Sequence, residues 1–268
     1  MNENSTQPTA LVTGASAGIG EALAKQFALH NHNLILAARS ADKLDALASE
    51  LAADHGIEVQ VISVDLAKRN GAKNLAQSIR EQGLEVDILV NNAGVMEHGR
   101  FVDMPMKAQR GLIDLNISGL TSLLHELLPA MVARGSGRVL NVASIAAFQP
   151  IPSLATYAAT KAYVLSLTES LAEELSGTGV SITALCPGFT ATRMLHDVQK
   201  DNAALTRIPG LLISRVEDVA KDGYNACMSG DVICVPGPLN LATTIAGRAL
   251  PRWVVRRLSG IFGRLTAG

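Results

Sequence analysis

The chain has 268 residues, 48% of them hydrophobic, which is enough for one sizeable α/β core. Its formal net charge is −1, so no electrostatic footprint points to nucleic acid as a partner. The three cysteines, Cys186, Cys227 and Cys234, lack metal-ligand spacing; they read as reduced thiols of a cytoplasmic protein, and no metal site is expected. Residues 1–8 are polar without a signal-peptide pattern, and no apolar run is long enough to cross a bilayer.

Thr9-Ala-Leu-Val-Thr13 has the pattern of a short buried strand, and it runs into Gly14-Ala-Ser16-Ala17-Gly18-Ile19-Gly20. Glu21 to Leu29 then has helical periodicity and strong helix formers. Strand, glycine turn and helix make a phosphate-binding unit: backbone N–H groups approach a pyrophosphate, and the helix N-terminus faces its charge. Asn33 to Ala38 is the second strand. In dinucleotide-binding folds an acid about 20 positions after the glycines holds the adenosine ribose. Here Ala37, Ala38, Arg39 and Ser40 stand there, with no acid before Asp42. A carboxylate would repel a 2′-phosphate, whereas a guanidinium binds it through two parallel bonds. Such a contact contributes roughly 1.5–3 kcal/mol, so the pattern predicts NADP in preference to NAD.

A helix over Asp42–Asp54 leads to a third strand, Glu58–Val64, with Asp65 and Leu66 at its carboxyl end. A helix over Gly71–Gln82 precedes a fourth strand, Val86–Val90, which ends in the polar turn Asn91-Asn92-Ala93-Gly94. The periodicity then predicts one long helix, Lys107–Arg134, with Asn116 as an odd interior residue. A fifth strand, Arg138–Ser144, delivers a serine into a Pro-containing loop. The following helix carries Tyr157 and Lys161, four residues apart and so on one face. An ammonium beside a phenol favours the phenolate, which suits proton transfer, and the Ser144 hydroxyl can hydrogen-bond the reacting oxygen. Gly179–Leu185 is a sixth strand, followed by Cys186-Pro187-Gly188-Phe189-Thr190-Ala191-Thr192. An irregular stretch at about 190–213 reads as a lid, Ser214 as the cap of a helix near Val216, and Asp231–Val235 as a seventh strand. The alternation predicts a doubly wound, mostly parallel, seven-stranded Rossmann-type sheet in a single domain, residues 1–240.

These motifs, in this order, resemble the short-chain dehydrogenase/reductase family over about residues 9–235. The resemblance implies NADP(H)-dependent, reversible reduction of a carbonyl to an alcohol. It implies Tyr157 as general acid/base, Ser144 orienting the carbonyl, and Lys161 binding the nicotinamide ribose. Asn116 corresponds to the asparagine that holds a relay water near the lysine. Asp65 corresponds to the adenine-contacting aspartate, and Thr190 and Thr192 to positions that meet the nicotinamide amide. Gly14 to Gly20, Leu66, Asn92, Ala93, Gly94, Pro187 and Gly188 complete the expected cofactor contacts. Met96, Ala146, Phe148, Phe189, Met194 and Leu195 are the expected substrate pocket; most are apolar, which favours a hydrophobic ketone or aldehyde. The alternative is a non-catalytic NADP sensor on the same fold, against which the full Asn116, Ser144, Tyr157, Lys161 set argues. The family pattern also implies a homodimer or homotetramer paired through the Tyr157 helix and the long helix before it. Ala158, Ala159, Ala162 and Leu165 suit such a contact, while Leu120, Leu123, Leu124 and Leu127 equally suit a core.

Residues 241–268 form a basic amphipathic extension, with Arg248, Arg252, Arg256, Arg257 and Arg264 among apolar residues. Pro251, Gly260 and Gly263 shorten any helix there. The favoured expectation is packing on the body or a second subunit; peripheral membrane contact is the less favoured one.

Overall fold

The computed structural model describes residues 7–193, 195–196, 210, 213–249, 251, 253–257 and 260. Seven strands form one parallel sheet: β1 Thr9–Thr13, β2 Asn33–Ala38, β3 Val59–Ser63, β4 Ile88–Asn91, β5 Gly137–Val142, β6 Val180–Leu185 and β7 Ile233–Cys234. Their order is β3-β2-β1-β4-β5-β6-β7. The chain moves outward from β1 to β3, then returns to pair β4 with β1 on its other side. That reversal opens the carboxyl edge between β1 and β4, where ligands bind in such sheets.

Both faces of the sheet's centre are buried, so β1, β2 and β4 are near-continuous apolar runs, whereas the edge strand β3 mixes apolar and polar residues. Leu11, Ile35, Leu89, Val139 and Ile182 point to one face and pack with Leu75, Leu123 and Val164. Ala10, Val12, Leu34, Leu36, Val90 and Leu140 point to the other and pack with Leu23, Phe27, Leu44 and Val219. The covering helices are α1 Gly18–Leu29, α2 Ala41–His55, α3 Gly71–Glu81, α4 Met106–Ile113, α5 Leu120–Arg134, α6 Ala155–Glu174 and α7 Val216–Ser229. Leu120, Leu123, Leu124 and Leu127 are buried within this single chain, as are Ala158 and Leu165, whereas Ala159 is exposed.

Four features differ from the sequence expectation. The long helix is interrupted: α4 and α5 are joined by a π-helical segment, Asp114–Gly119, which contains Asn116. The Asn116 side chain hydrogen-bonds loop backbone rather than solvent, and it sets the interruption. The stretch after Ser144 is a 3₁₀ turn, Ile145–Phe148, capped by Ser144 itself. Ser214 does not cap α7; Arg215 holds that position without a side-chain cap bond, and Ser214 bridges Thr190 instead. The seventh strand is only two residues long and pairs with Ala184 and Leu185.

A further helix, α8 Pro238–Ala249, spans residue 240, where the sequence pattern places the boundary between the body and the extension. Most of the expected lid, 197–209 and 211–212, lies outside the described residues, as does Met194. Among the described residues, no helix is long and apolar enough to cross a membrane.

Gly119, the last residue of the π segment, brings α5 against the end of β3. A Cβ there would stand 2.6 Å from the Leu66 carbonyl oxygen. Gly119→Ala must therefore push backbone apart, and a loss of about 1–3 kcal/mol in unfolding free energy is expected from urea titration. An unchanged urea midpoint would show that this junction has slack.

Candidate active site

Gly14 leaves β1 with φ +65, a left-handed conformation that favours glycine. A Cβ at this position would come within 2.8 Å of Asn92 Nδ2 and 2.9 Å of Ala93 Cα. Helix α1 follows, with exposed Ala17 at its N-cap and no side chain capping it. Its first-turn N–H groups therefore lack an internal acceptor, and they form a cradle for an anion. Ser16 and Ile19 are half-buried beside it. The Thr192 side chain lies 3.4 Å from where a Gly18 Cβ would stand, so the segment after β6 reaches the glycine turn.

Thr13 locks this turn to the end of β4. Its Oγ1 donates to Val90 O at 3.0 Å and accepts from Asn92 N at 3.0 Å and Ala93 N at 3.1 Å. Asn92 Nδ2 donates to Thr13 O at 2.9 Å and to Gly14 O at 3.3 Å. Arg39 and Ser40 are exposed at the end of β2, and among the described residues no ion pair engages Arg39. Asp65 Oδ1 accepts from Ala67 N at 3.1 Å. The Leu66 side chain packs in the core, which leaves its backbone for any ligand contact. The open helix terminus, close backbone approaches and free guanidinium fit a phosphorylated dinucleotide.

The reactive side chains meet beside this cradle. Tyr157 is buried, and burial raises its pKa, while the Ser144 hydroxyl opposes that rise. Ser144 Oγ also accepts from Ala146 N at 3.1 Å, which orients it. Lys161 Nζ sits 5.8 Å from the Tyr157 ring centroid and donates to Val142 O at 2.8 Å. Burial pushes the Lys161 pKa down to about 8. The sequence expectation was an ammonium that lowers the Tyr157 pKa. In this structure desolvation dominates for both groups, because both lie under the sheet edge.

Asn116 holds the neighbouring loop: its Oδ1 accepts from Val95 N, and its Nδ2 donates to Val95 O, both at 2.9 Å. Asn116 Nδ2 also donates to Thr160 Oγ1 at 3.1 Å, and Thr160 Oγ1 donates to Tyr157 O at 2.7 Å. A Cβ on Gly94 would stand 3.2 Å from Asn116 Oδ1 and 3.5 Å from Lys161 Nζ, so the loop runs close to both. Thr13 and Thr160 were not singled out from the sequence. The available signals were a threonine immediately before the glycine turn and a threonine three residues after Tyr157 in its helix.

Ala146 and Tyr157 form a small apolar cluster with Leu112 and Ala158, against which Val95, Met96, Met104, Ile151 and Leu154 pack. The last three were not expected. Phe148 packs instead against the main core, Phe189 is exposed, and Leu195 is buried. Pro187 O accepts from Ile145 N at 2.9 Å, joining the strand ends of β5 and β6. Thr190 is buried, with its Oγ1 donating to Gly188 O at 3.1 Å. Gly188 abuts Asn240 of α8. A separate groove of about 850 Å³ opens at the opposite, amino edge, lined by Pro8, His32, Asp87 and Arg138. It contains none of the candidate site residues, which converge at the carboxyl edge.

The short chain dehydrogenase family model matches residues 8–203. The chain belongs to this family. Oxidoreductase UcpA of Salmonella typhimurium is 36% identical over 198 residues, 74% of each chain. A short-chain dehydrogenase from Sphingobium yanoikuyae, in complex with NADPH, superposes with a TM-score of 0.80 at 32% identity, covering 97% of this chain and 95% of that one. The bulky-bulky ketone specific alcohol dehydrogenase of Comamonas testosteroni superposes with a TM-score of 0.76 at 28% identity, covering 90% and 92%. The chain is thus an oxidoreductase of the class that uses a nicotinamide cofactor.

The strained lysine has a thermodynamic signature. Its pKa falls from 10.5 to about 8 on folding, so between these values the unfolded chain binds more protons. The penalty is complete below pH 8 and fades as pH rises towards 10.5. The urea midpoint of the parent, minus that of Lys161→Met, should therefore rise from pH 7 to pH 10. A flat difference would show that burial does not strain the ammonium.

Proposed function

We propose that the protein is an NADP(H)-dependent carbonyl reductase, acting reversibly on a hydrophobic ketone or aldehyde. The observation that carries this reading is the convergence of Tyr157, Ser144 and Lys161 beside an open helix terminus. When bound, the nicotinamide supplies the hydride that reaches the carbonyl carbon. Ser144 Oγ donates a hydrogen bond to the carbonyl oxygen, and Tyr157 Oη gives that oxygen its proton. The Lys161 ammonium stabilises the tyrosinate left behind and binds the ribose. Asn116 keeps a water by Lys161 through which Tyr157 regains its proton. In the oxidative direction each transfer runs backwards.

Arg39 supports NADP over NAD, because it is exposed, unpaired among the described residues and follows a strand end without an acid. The NADPH of the Sphingobium relative supports the same choice. The apolar cluster around Tyr157 and the bulky ketones of the Comamonas relative support a hydrophobic substrate. Cytoplasmic location and a homodimer or homotetramer complete the reading.

Tyr157→Phe should lower kcat by at least roughly a hundredfold while leaving NADPH affinity within about twofold. A variant with near-normal turnover would overturn the proton-transfer assignment. Arg39→Asp should erase or reverse the preference for NADPH over NADH in kcat/KM; an unchanged ratio would remove Arg39 from cofactor selection.

A further inference from the structure

The connections at the carboxyl edge carry an unusual share of exposed apolar side chains. Phe101 and Val102, in the connection from β4 to α4, are 62% and 76% exposed, and Met106 at the start of α4 is exposed too. Phe189, after β6, is exposed, as are Leu239 and Leu241 in α8 after β7. Asn240 abuts Gly188, so Phe189, Leu239 and Leu241 flank one junction. Helix α8 also packs on the Ile145–Phe148 turn, which adjoins Ser144. Water-facing apolar groups on two sides of a ligand edge mark an interaction surface rather than scattered exposure.

The tail adds direction and charge. Residues 253–257 form a helical turn in which Val255 is 8% exposed while Trp253 is 62% exposed. Arg256 and Arg257 are exposed three and four residues after Trp253, hence on its face. Val255, two residues after Trp253 and so on the opposite side of the turn, is buried. The sequence expectation is packing on the body or on a second subunit, and the 62% exposure of Trp253 leaves its indole without cover from this chain. Beyond Asp231 the chain has five arginines and no Asp, Glu or Lys. An indole with two guanidinium groups one turn further on suits a boundary that is apolar below and negatively charged above.

We infer that the carboxyl-edge rim and the tail dock on an anionic phospholipid bilayer. Trp253 and the exposed leucines enter the headgroup boundary, and Arg256 and Arg257 pair with lipid phosphates and carboxylates. The site then opens towards the phase in which lipophilic carbonyl compounds concentrate. This last consequence rests on the proposed reductase function; the docking itself does not.

The test uses the full chain and two vesicle preparations, phosphatidylcholine alone and phosphatidylcholine with phosphatidylserine. Sedimentation is measured without substrate at low and high salt, and NADPH-dependent turnover is measured separately in vesicle-free buffer. The parent should sediment with the anionic vesicles, weakly or not at all with the neutral ones, and less in high salt. Arg256→Gln with Arg257→Gln should weaken binding roughly tenfold or more. Trp253→Ser should weaken it independently, with NADPH affinity and circular dichroism unchanged. Failure of the parent to sediment overturns the inference, as does equal sedimentation of parent and variants. Light scattering that shows Trp253-dependent self-association without vesicle binding also overturns it and assigns the face to a second copy of this chain. Vesicle binding without carbonyl turnover would leave the docking surface standing and remove the reductase reading alone.

Discussion

Thr13 Oγ1 holds three backbone groups of another strand end: it donates to Val90 O and accepts from Asn92 N and Ala93 N. Parallel strands β1 and β4 diverge at this point, and their carboxyl ends would otherwise have unpaired polar groups facing the opening. The bond set fixes the glycine turn on one side and the Asn92–Gly94 turn on the other. From there the linkage continues through Val95 to Asn116, then Thr160, then Tyr157. A threonine at the end of the first strand is thus connected, by successive hydrogen bonds and short backbone steps, to the backbone carbonyl of Tyr157 in α6.

The same geometry explains why the reactive groups are under stress. Seven strands covered on both faces leave little water near the inner part of the carboxyl edge. Tyr157 and Lys161 both project into that zone from α6, and both shift towards their neutral forms. Val142 O compensates Lys161 with one hydrogen bond, which does not replace a full hydration shell. Shifts of this kind, imposed by burial on a phenol and an ammonium in one place, cluster at sites that transfer protons.

Much of this was legible in the sequence because it depends on local spacing. The glycine turn between Thr13 and Glu21, the Tyr157–Lys161 interval and the buried strands are all short-range patterns. The sheet order follows from the alternation of strand and helix. What escaped depends on partners distant in the chain. The π segment exists because Asn116 bonds Val95, 21 residues away, and nothing in the local helical period announces that bond. Ser214 has good capping chemistry, yet its backbone is taken by the Thr190 bridge. Phe148 is half-buried against the main core at the end of the 3₁₀ turn that Ser144 caps, a turn that the sequence pattern reads as loop. Exposure of Trp253 could not be read from an amphipathic pattern, which defines an apolar face without saying what covers it.

The π segment has a consequence for how this chain tolerates insertion and deletion. An α-helix advances about 100° per residue, so one residue more or less rotates everything beyond it by that angle. A π turn is equivalent to one residue added to an α-helix, absorbed over a single wider turn. Removing any one residue between Asp114 and Gly119 would let α4 and α5 fuse into regular helix. Then either Gln109 and Leu112 or the stripe of Leu120, Leu123, Leu124 and Leu127 would keep its place against the body, but not both. Length in this region is therefore set by the requirement to hold two incompatible helical phases on one axis, and Asn116 sits where the phase changes.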